Sequence, residues 1–140
     1  MADAYVPPDP PVVPYLMVHD GPAALDWYGR ALGATVEFRY DEADGRVGHA
    51  SLVVNGGVIY LADEFPEVQD RIGAAAPRTL GSTTVSISLA VDDVDAWTAR
   101  AVAEGAVLIR PAADEFYGRH ARLTDPFGHV WSFIGPKTGG

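Results

Sequence analysis

The sequence predicts an α+β fold built from two tandem βαβββ modules, whose strands form a curved mixed sheet around a cavity. The order strand, helix, strand, strand, strand occurs twice, and both copies carry the pattern His-Ala-x-Leu on their penultimate strand, at His49 and His120. A repeat of this kind is typical of a duplicated, pseudo-symmetric domain. We place a Pro-rich extended arm at residues 1–12, a single domain at 13–136 and a tail at 137–140.

The first module, about residues 13–64, begins with the short apolar strand PYLMV. Asp20 is a helix N-cap, the apolar residues that follow recur at three- and four-residue spacing, and Gly33 ends the helix. The segments ATVEFRY and VGHASLVV read as strands, and the sequence NGG predicts a tight hairpin turn into the last strand, VIYLADE. Residues 65–82 break the periodicity and predict a linker with room for a helical turn.

The second module, about residues 83–136, repeats this order. TVSISLAV is a strand, Asp92 or Asp93 caps the next helix, and AVLIR is the following strand. After a turn at PAADEF comes a hairpin, YGRHARLT and HVWSFI, closed by DPFG. Asp, Pro and Gly at these positions fit a type I turn in which Asp125 accepts backbone N–H groups, and His129 is predicted at the solvent end of the strand.

Composition limits the functional classes. The 140 residues include no cysteine, which excludes disulfides and thiolate chemistry. The net charge is −9 and the basic residues are scattered, which argues against nucleic acid as a partner. No apolar run approaches the roughly 20 residues of a membrane helix, and the N-terminal residues do not resemble a secretory signal, so we expect no membrane contact and a cytoplasmic location. No P-loop, dinucleotide fingerprint, HExxH motif or nucleophile elbow is present.

Three segments carry a resemblance to a known family: PYLMVHDGPAALDWYGRALGATVEF, GHASLVVNGGVIYLADE and YGRHARLTDPFGHVWSF. They resemble the vicinal oxygen chelate superfamily, which includes glyoxalase I, extradiol dioxygenases and bleomycin-resistance proteins, and the last two are similar to its PhnB-like branch. The resemblance covers about residues 12–135 and implies the glyoxalase/bleomycin-resistance fold. Because this fold serves many chemistries, the resemblance alone does not name an activity.

Metal-using members of that superfamily place a ligand on the first and last strand of each module. Carried over, these positions fall at about Val13, Tyr60, Ser86 and Ser132. None of the four is His, Asp or Glu, and neither is any residue within two positions of them. Divalent cations prefer imidazole or carboxylate ligands, so we expect no metal and no other cofactor at the usual site.

The polar faces of the third and seventh strands offer candidates for ligand contact. His49 and His120 would point toward the cavity, where a neutral imidazole could act as a base or a hydrogen-bond partner; alternatively, both simply cover polar strand faces. Arg122 could bind an anionic group or form a surface salt bridge. Asp63 and Glu64 could reach the cavity mouth or serve as ordinary strand-end charges. The predicted ligand-binding residues are Tyr60, Trp131, Ser86, Ser132, His49 and Arg122.

Two functional hypotheses follow. The first is a metal-free binding protein that sequesters a small organic molecule, such as an antibiotic or an aromatic metabolite. The resemblance to bleomycin-resistance proteins implies a homodimer with pockets at or near the subunit interface. The second is a lyase, isomerase or dioxygenase with a displaced site, for example at His49, His120 and Glu64. The weak catalytic candidates are His49 and His120. Glyoxalase I activity is disfavoured because its metal carries the electrophilic step.

Overall fold

The computed structural model describes residues 5–139 of the chain. Residues 5–12 of the predicted arm have no helix or strand and are mostly exposed; residues 1–4 of that arm and Gly140 of the predicted tail lie outside the described residues. The elements are β1 (Tyr15–Val18), α1 (Gly21–Leu32), β2 (Thr35–Asp41), β3 (Val47–Val54), β4 (Gly57–Asp63), a 3₁₀ turn (Pro66–Val68), α2 (Gln69–Ile72), α3 (Pro77–Leu80), β5 (Ser86–Ala90), α4 (Val94–Ala103), β6 (Val107–Glu115), β7 (Gly118–Thr124) and β8 (Val130–Gly135).

The strands form two four-stranded mixed sheets with the same topology. The first sheet has the order β1-β4-β3-β2 and the second has the order β5-β8-β7-β6. In each sheet the first strand pairs in parallel with the last, and the remaining pairs are antiparallel. The predicted α+β fold with a duplicated βαβββ order is therefore confirmed.

The predicted caps start both long helices. The Asp20 carboxylate accepts a hydrogen bond from the backbone N–H of Ala23, and Asp93 does the same for Ala96, at 3.1 Å each. Such bonds satisfy N–H groups that have no partner within the helix. Gly33 ends α1 in the left-handed conformation, with φ of 65°, which glycine adopts without a steric penalty.

Each sheet packs one face against a helix, and the two helices pack against each other. The helix-covered faces supply the core, where Leu52, Leu61, Leu123 and Phe133 are fully buried. We call the opposite face of each sheet its free face. Because side chains alternate along a strand, the free faces carry the polar and aromatic residues that lie between these core positions.

The second sheet departs from the prediction at residues 111–116. The predicted turn at PAADEF is wrong, because β6 continues to Glu115 and the chain reverses at Phe116 and Tyr117. Two register irregularities interrupt the pairing of β6 with β7. Since β6 is an edge strand, Pro111 can lie within it without removing a hydrogen bond from the middle of the sheet.

The linker is more ordered than predicted, with three short helical segments instead of one turn. Its anchor is Glu64, whose carboxylate accepts hydrogen bonds from the Ala76 backbone N–H at 2.9 Å and the Thr79 hydroxyl at 2.6 Å. Among residues 5–139, no helix combines the length and the apolar character that crossing a membrane requires.

Candidate functional site

The free face of the first sheet carries an aromatic cluster formed by Tyr15, Phe38, His49 and Tyr60. The register places Tyr15 beside Tyr60, and Tyr60 beside Ser51 on β3. The imidazole of His49 lies 4.9 Å from the ring of Tyr60, 5.4 Å from Tyr15 and 6.0 Å from Phe38 (centroid distances). These are ordinary separations for tilted and edge-to-face aromatic pairs. The cluster therefore presents flat, partly exposed rings around a single imidazole.

His49 is held in this cluster by a hydrogen bond with Tyr15. The Tyr15 hydroxyl lies 2.6 Å from Nδ1 of His49, which is short for an N–H donor and normal for an O–H donor. Burial lowers the pKa of His49 below its usual 6.5, so the imidazole is neutral at pH 7. A neutral ring that accepts at Nδ1 carries its proton on Nε2. His49 can thus donate one hydrogen bond to a bound molecule.

A cavity of about 400 Å³ adjoins this cluster. Tyr15 and Gly48 border it on the sheet side, and Phe65, Ile72 and Ala74 of the linker cover it. Its volume suits a small organic molecule, and its lining is mostly apolar, as is usual for ligand pockets.

A second cavity, of about 530 Å³, lies between β1, the linker and the start of β5. It also has Tyr15 and Met17 on its wall, with Leu80 and Ile87 on the opposite side. The only imidazole among its lining residues is His129, whose Nε2 lies 2.8 Å from the Met17 carbonyl oxygen.

The free face of the second sheet is polar and carries three predicted ligand residues. Arg122 donates a hydrogen bond to the hydroxyl of the buried Ser132 at 3.0 Å. Ser86 is exposed at the start of β5. His120, on the same strand face as Arg122, is buried, and its Nδ1 lies 3.4 Å from the Tyr117 hydroxyl. Burial, followed by the positive charges of Arg110 and Arg122, lowers the pKa of His120.

The structure does not bring the candidate catalytic residues together in one site. His49 lies in the first sheet and His120 in the second, and their ring and hydrogen-bond partners do not overlap. Glu64 is engaged with the linker. Asp63 is buried at the end of β4, where it accepts bonds from the backbone N–H groups of Gly21 at 2.8 Å and Val47 at 2.7 Å. Of the two alternatives left open for these acids, the cavity mouth is therefore excluded, because both carboxylates are engaged in structural hydrogen bonds.

The residues at the family's usual metal positions do not fit a divalent cation. Val13 precedes β1, and the strand register instead puts Tyr15 next to Tyr60 and Ser88 next to Ser132. Neutral phenol and serine hydroxyls are poor substitutes for the waters of such an ion. Within residues 5–139, no group of three or more His, Asp or Glu side chains is arranged to hold a metal.

Two predicted positions on the second module are wrong. Trp131 lies on the helix-covered face and is 1% exposed, so it does not line a cavity; Ser132 takes the free face of β8. His129 is buried and contacts the Met17 carbonyl instead of solvent. Both residues donate hydrogen bonds to Asp125, Trp131 through its indole N–H and His129 through its backbone N–H.

Asp125 accepts the two turn bonds that the sequence predicts, from the backbone N–H groups of Phe127 at 2.8 Å and His129 at 3.0 Å. Its other oxygen accepts from the Trp131 indole N–H at 2.9 Å and from the Tyr28 hydroxyl. Burial and the nearby Asp125 carboxylate raise the pKa of Tyr28 well above 10. This carboxylate therefore joins α1 of the first half to the last hairpin of the second.

Sequence reasoning missed the roles of Tyr15 and Phe38. Strand alternation could have placed Tyr15 on the free face, since the adjacent Leu16 is apolar and buried. The face that Phe38 takes could not be predicted in this way. Every residue of β2 is exposed, so no buried positions mark which face of the strand belongs to the core.

The chain belongs to the glyoxalase/bleomycin resistance protein/dioxygenase superfamily, whose family model matches residues 11–133. It is 37% identical over 129 residues to the uncharacterized protein Mb0911c of Mycobacterium bovis, covering 91% of this chain and 84% of that protein.

Among solved structures, the chain is similar to TioX from Micromonospora sp. ML1, with 27% identity, a TM-score of 0.68, and coverage of 92% of this chain and 98% of TioX. It is also similar to protein PA1353 from Pseudomonas aeruginosa, with 26% identity, a TM-score of 0.67, and coverage of 90% and 97%. These likenesses support the family assignment and the two-sheet fold.

Proposed function

We propose that this protein is a metal-free binding protein that holds a small, planar organic molecule on the aromatic cluster of the first sheet. The observation that carries the proposal is the packing of His49 and Tyr60 against Tyr15, which itself lines the cavity of about 400 Å³. Aromatic surfaces stack on planar guests, and the Nε2–H group of His49 supplies one directional hydrogen bond. Affinity comes from apolar surface removed from water, about 25 cal/mol per Å², less the cost of immobilising the guest.

The chemistry of the side chains supports binding over metal-assisted catalysis. The positions that hold a metal in metal-using relatives carry hydroxyl groups here, and the acids near the sheet ends are engaged in structural hydrogen bonds. A mechanism of sequestration needs only a pocket and a complementary guest. The finer placement in the PhnB-like branch is part of this proposal and rests on GHASLVVNGGVIYLADE and YGRHARLTDPFGHVWSF.

A homodimer completes the proposal. Large apolar side chains are exposed along the edge strands β2 and β6 and at the β6–β7 turn, where Phe116 is 91% exposed. Contiguous exposed apolar surface marks interaction sites on soluble proteins. A second copy that covers these residues removes them from water and encloses the guest between free faces.

Binding is tested by thermal-shift and ligand-observed NMR screens of planar aromatic compounds, with the protein purified in a metal chelator. We expect a compound to raise the melting temperature, and His49→Ala and Tyr60→Ala each to weaken its binding. Leu80→Ala is the matched control, because Leu80 lines the other cavity. The proposal is wrong if stoichiometric zinc, manganese, nickel or iron survives the chelator, or if Leu80→Ala alone weakens binding.

A further inference from the structure

The free face of the second sheet carries a pair of arginines whose positive charges are only partly neutralised by nearby carboxylates. Arg110 on β6 and Arg122 on β7 are direct cross-strand partners. Like charges placed directly opposite each other destabilise a sheet. This arrangement stands out in a chain whose net charge is −9, where acidic partners are plentiful.

The carboxylates nearby offset only one of the two charges. Arg110 forms a salt bridge with Glu115 at 3.0 Å. Arg122 forms no salt bridge with any residue in the part of the chain that the structure describes, and its side-chain hydrogen bond goes to the neutral Ser132. After burial, the charges of both arginines lower the pKa of His120. The local sum is therefore one positive charge.

Arg122 is also more restrained than a solvated surface arginine. It is half-buried on a central strand, and Ser132, which is 4% exposed, accepts a bond from Nη1. A guanidinium has five N–H donors in a fixed plane, so this single bond orients the group and leaves donors free. Restrained guanidinium groups of this kind bind carboxylates through two parallel hydrogen bonds.

We infer that Arg122, oriented by Ser132 and supported by Arg110, binds an anionic group, a carboxylate or a comparable oxyanion, on a small organic ligand. This inference rests on the proposed binding function and on the proposed homodimer, which encloses the guest between free faces. It adds the chemical class of the guest: a planar or apolar body with one negatively charged end. The exposed Ser86 and Ser88 on β5 extend the same polar face.

The test compares two probes of the same shape, 1-naphthoate and 1-naphthamide, which differ in charge. Both are titrated into the ¹⁵N-labelled full chain at pH 7 and low salt, and the side-chain Nε–H resonances of arginine are followed. We expect naphthoate to bind about tenfold more tightly than naphthamide, as charge-assisted hydrogen bonds do relative to neutral ones. The Arg122 resonance shifts on binding, and added salt reduces the preference.

Arg122→Gln removes the preference for naphthoate, and Arg122→Lys retains part of it, because lysine keeps the charge and loses the planar fork. The matched control is Arg39→Gln, at an exposed arginine that is paired with Asp41 on the edge strand of the first sheet. It leaves the preference intact. Thermal unfolding of each variant confirms that it is folded.

The outcomes separate this inference from the proposed function. If both probes bind equally to the wild type, the guest site stands and the anion inference is wrong. If the preference for naphthoate survives in Arg122→Gln, the anionic end lies elsewhere and the inference is also wrong. If Arg122→Gln weakens self-association and leaves the preference unchanged, the arginine pairs with a second copy of the chain, and the inference fails for that reason.

Discussion

Replacing Tyr28 with Phe tests whether the buried Asp125 carboxylate holds the two halves of the chain together. Tyr28 is fully buried, and its hydroxyl donates to a carboxylate that also accepts from Trp131, Phe127 and His129. The substitution removes one charge-assisted hydrogen bond and leaves a buried acceptor with three partners. Bonds to charged groups contribute about 1.5–3 kcal/mol, so we expect a loss of about 2 kcal/mol in the free energy of unfolding.

The expected loss in the free energy of unfolding corresponds to a fall in the melting temperature. A chain of 140 residues has an unfolding entropy of about 0.3 kcal/mol/K, so a loss of about 2 kcal/mol lowers the melting temperature by about 7 °C. Urea denaturation and calorimetry measure both quantities. Tyr40→Phe is the control, since Tyr40 is 54% exposed and should change stability by less than about 0.5 kcal/mol.

The reasoning is refuted if Tyr28→Phe is as stable as Tyr40→Phe. A double-mutant cycle with Asp125→Asn gives an independent check, because the two substitutions should not be additive if the hydroxyl and the carboxylate interact directly. Additive effects would mean that the Tyr28 hydroxyl contributes independently of the Asp125 carboxylate.

Three further predictions concern the site, the dimer and the linker. Because burial lowers the pKa of His49 in the folded protein, the unfolded chain binds its proton more readily, and stability should fall as pH drops below about 6.5. His49→Gln reduces this dependence of the unfolding free energy on pH, measured by urea titrations. An unchanged dependence would mean that the pKa of His49 is not lowered by folding. Phe116→Gln, in the β6–β7 turn, weakens self-association in sedimentation velocity, whereas Val102→Gln on α4 does not. Equal effects of the two substitutions would exclude the β6–β7 turn as part of the interface. Glu64→Ala releases the linker and speeds tryptic cleavage after the exposed Arg78, which mass spectrometry detects; unchanged cleavage would mean that the bonds from Glu64 do not restrain the linker.

The fold could be predicted because local patterns are strong where one sheet face is buried. The bounds of β3, Val47–Val54, match the predicted strand, since polar and buried residues alternate along it. The caps at Asp20 and Asp93 also follow from short-range chemistry. At β6 the alternation is absent, because nearly the whole strand is exposed, and the strand was predicted to end early.

The candidate site was harder to predict because tertiary contacts decide which face a side chain takes. Adjacent strand residues point to opposite faces, so Trp131 and Ser132 could not both line a cavity. The large apolar indole takes the core, where Asp125 satisfies its N–H group. The Met17 carbonyl lies far from His129 in sequence, so nothing near the DPFG turn indicates that this histidine is buried.

The distribution of hydrogen-bond partners indicates which groups remain available for a ligand. Asp63 and Asp125 accept bonds from donors on distant segments, and removing them would leave several buried donors unsatisfied. Carboxylates committed in this way cannot also coordinate a metal or take up a proton from a substrate without breaking the core. His49 and Arg122 differ, because each has one partner that orients it and further donors that the described residues do not use. Two carboxylates committed to the core, together with a neutral donor and a cation on the free faces, therefore favour the proposed binding of an aromatic anion without metal chemistry.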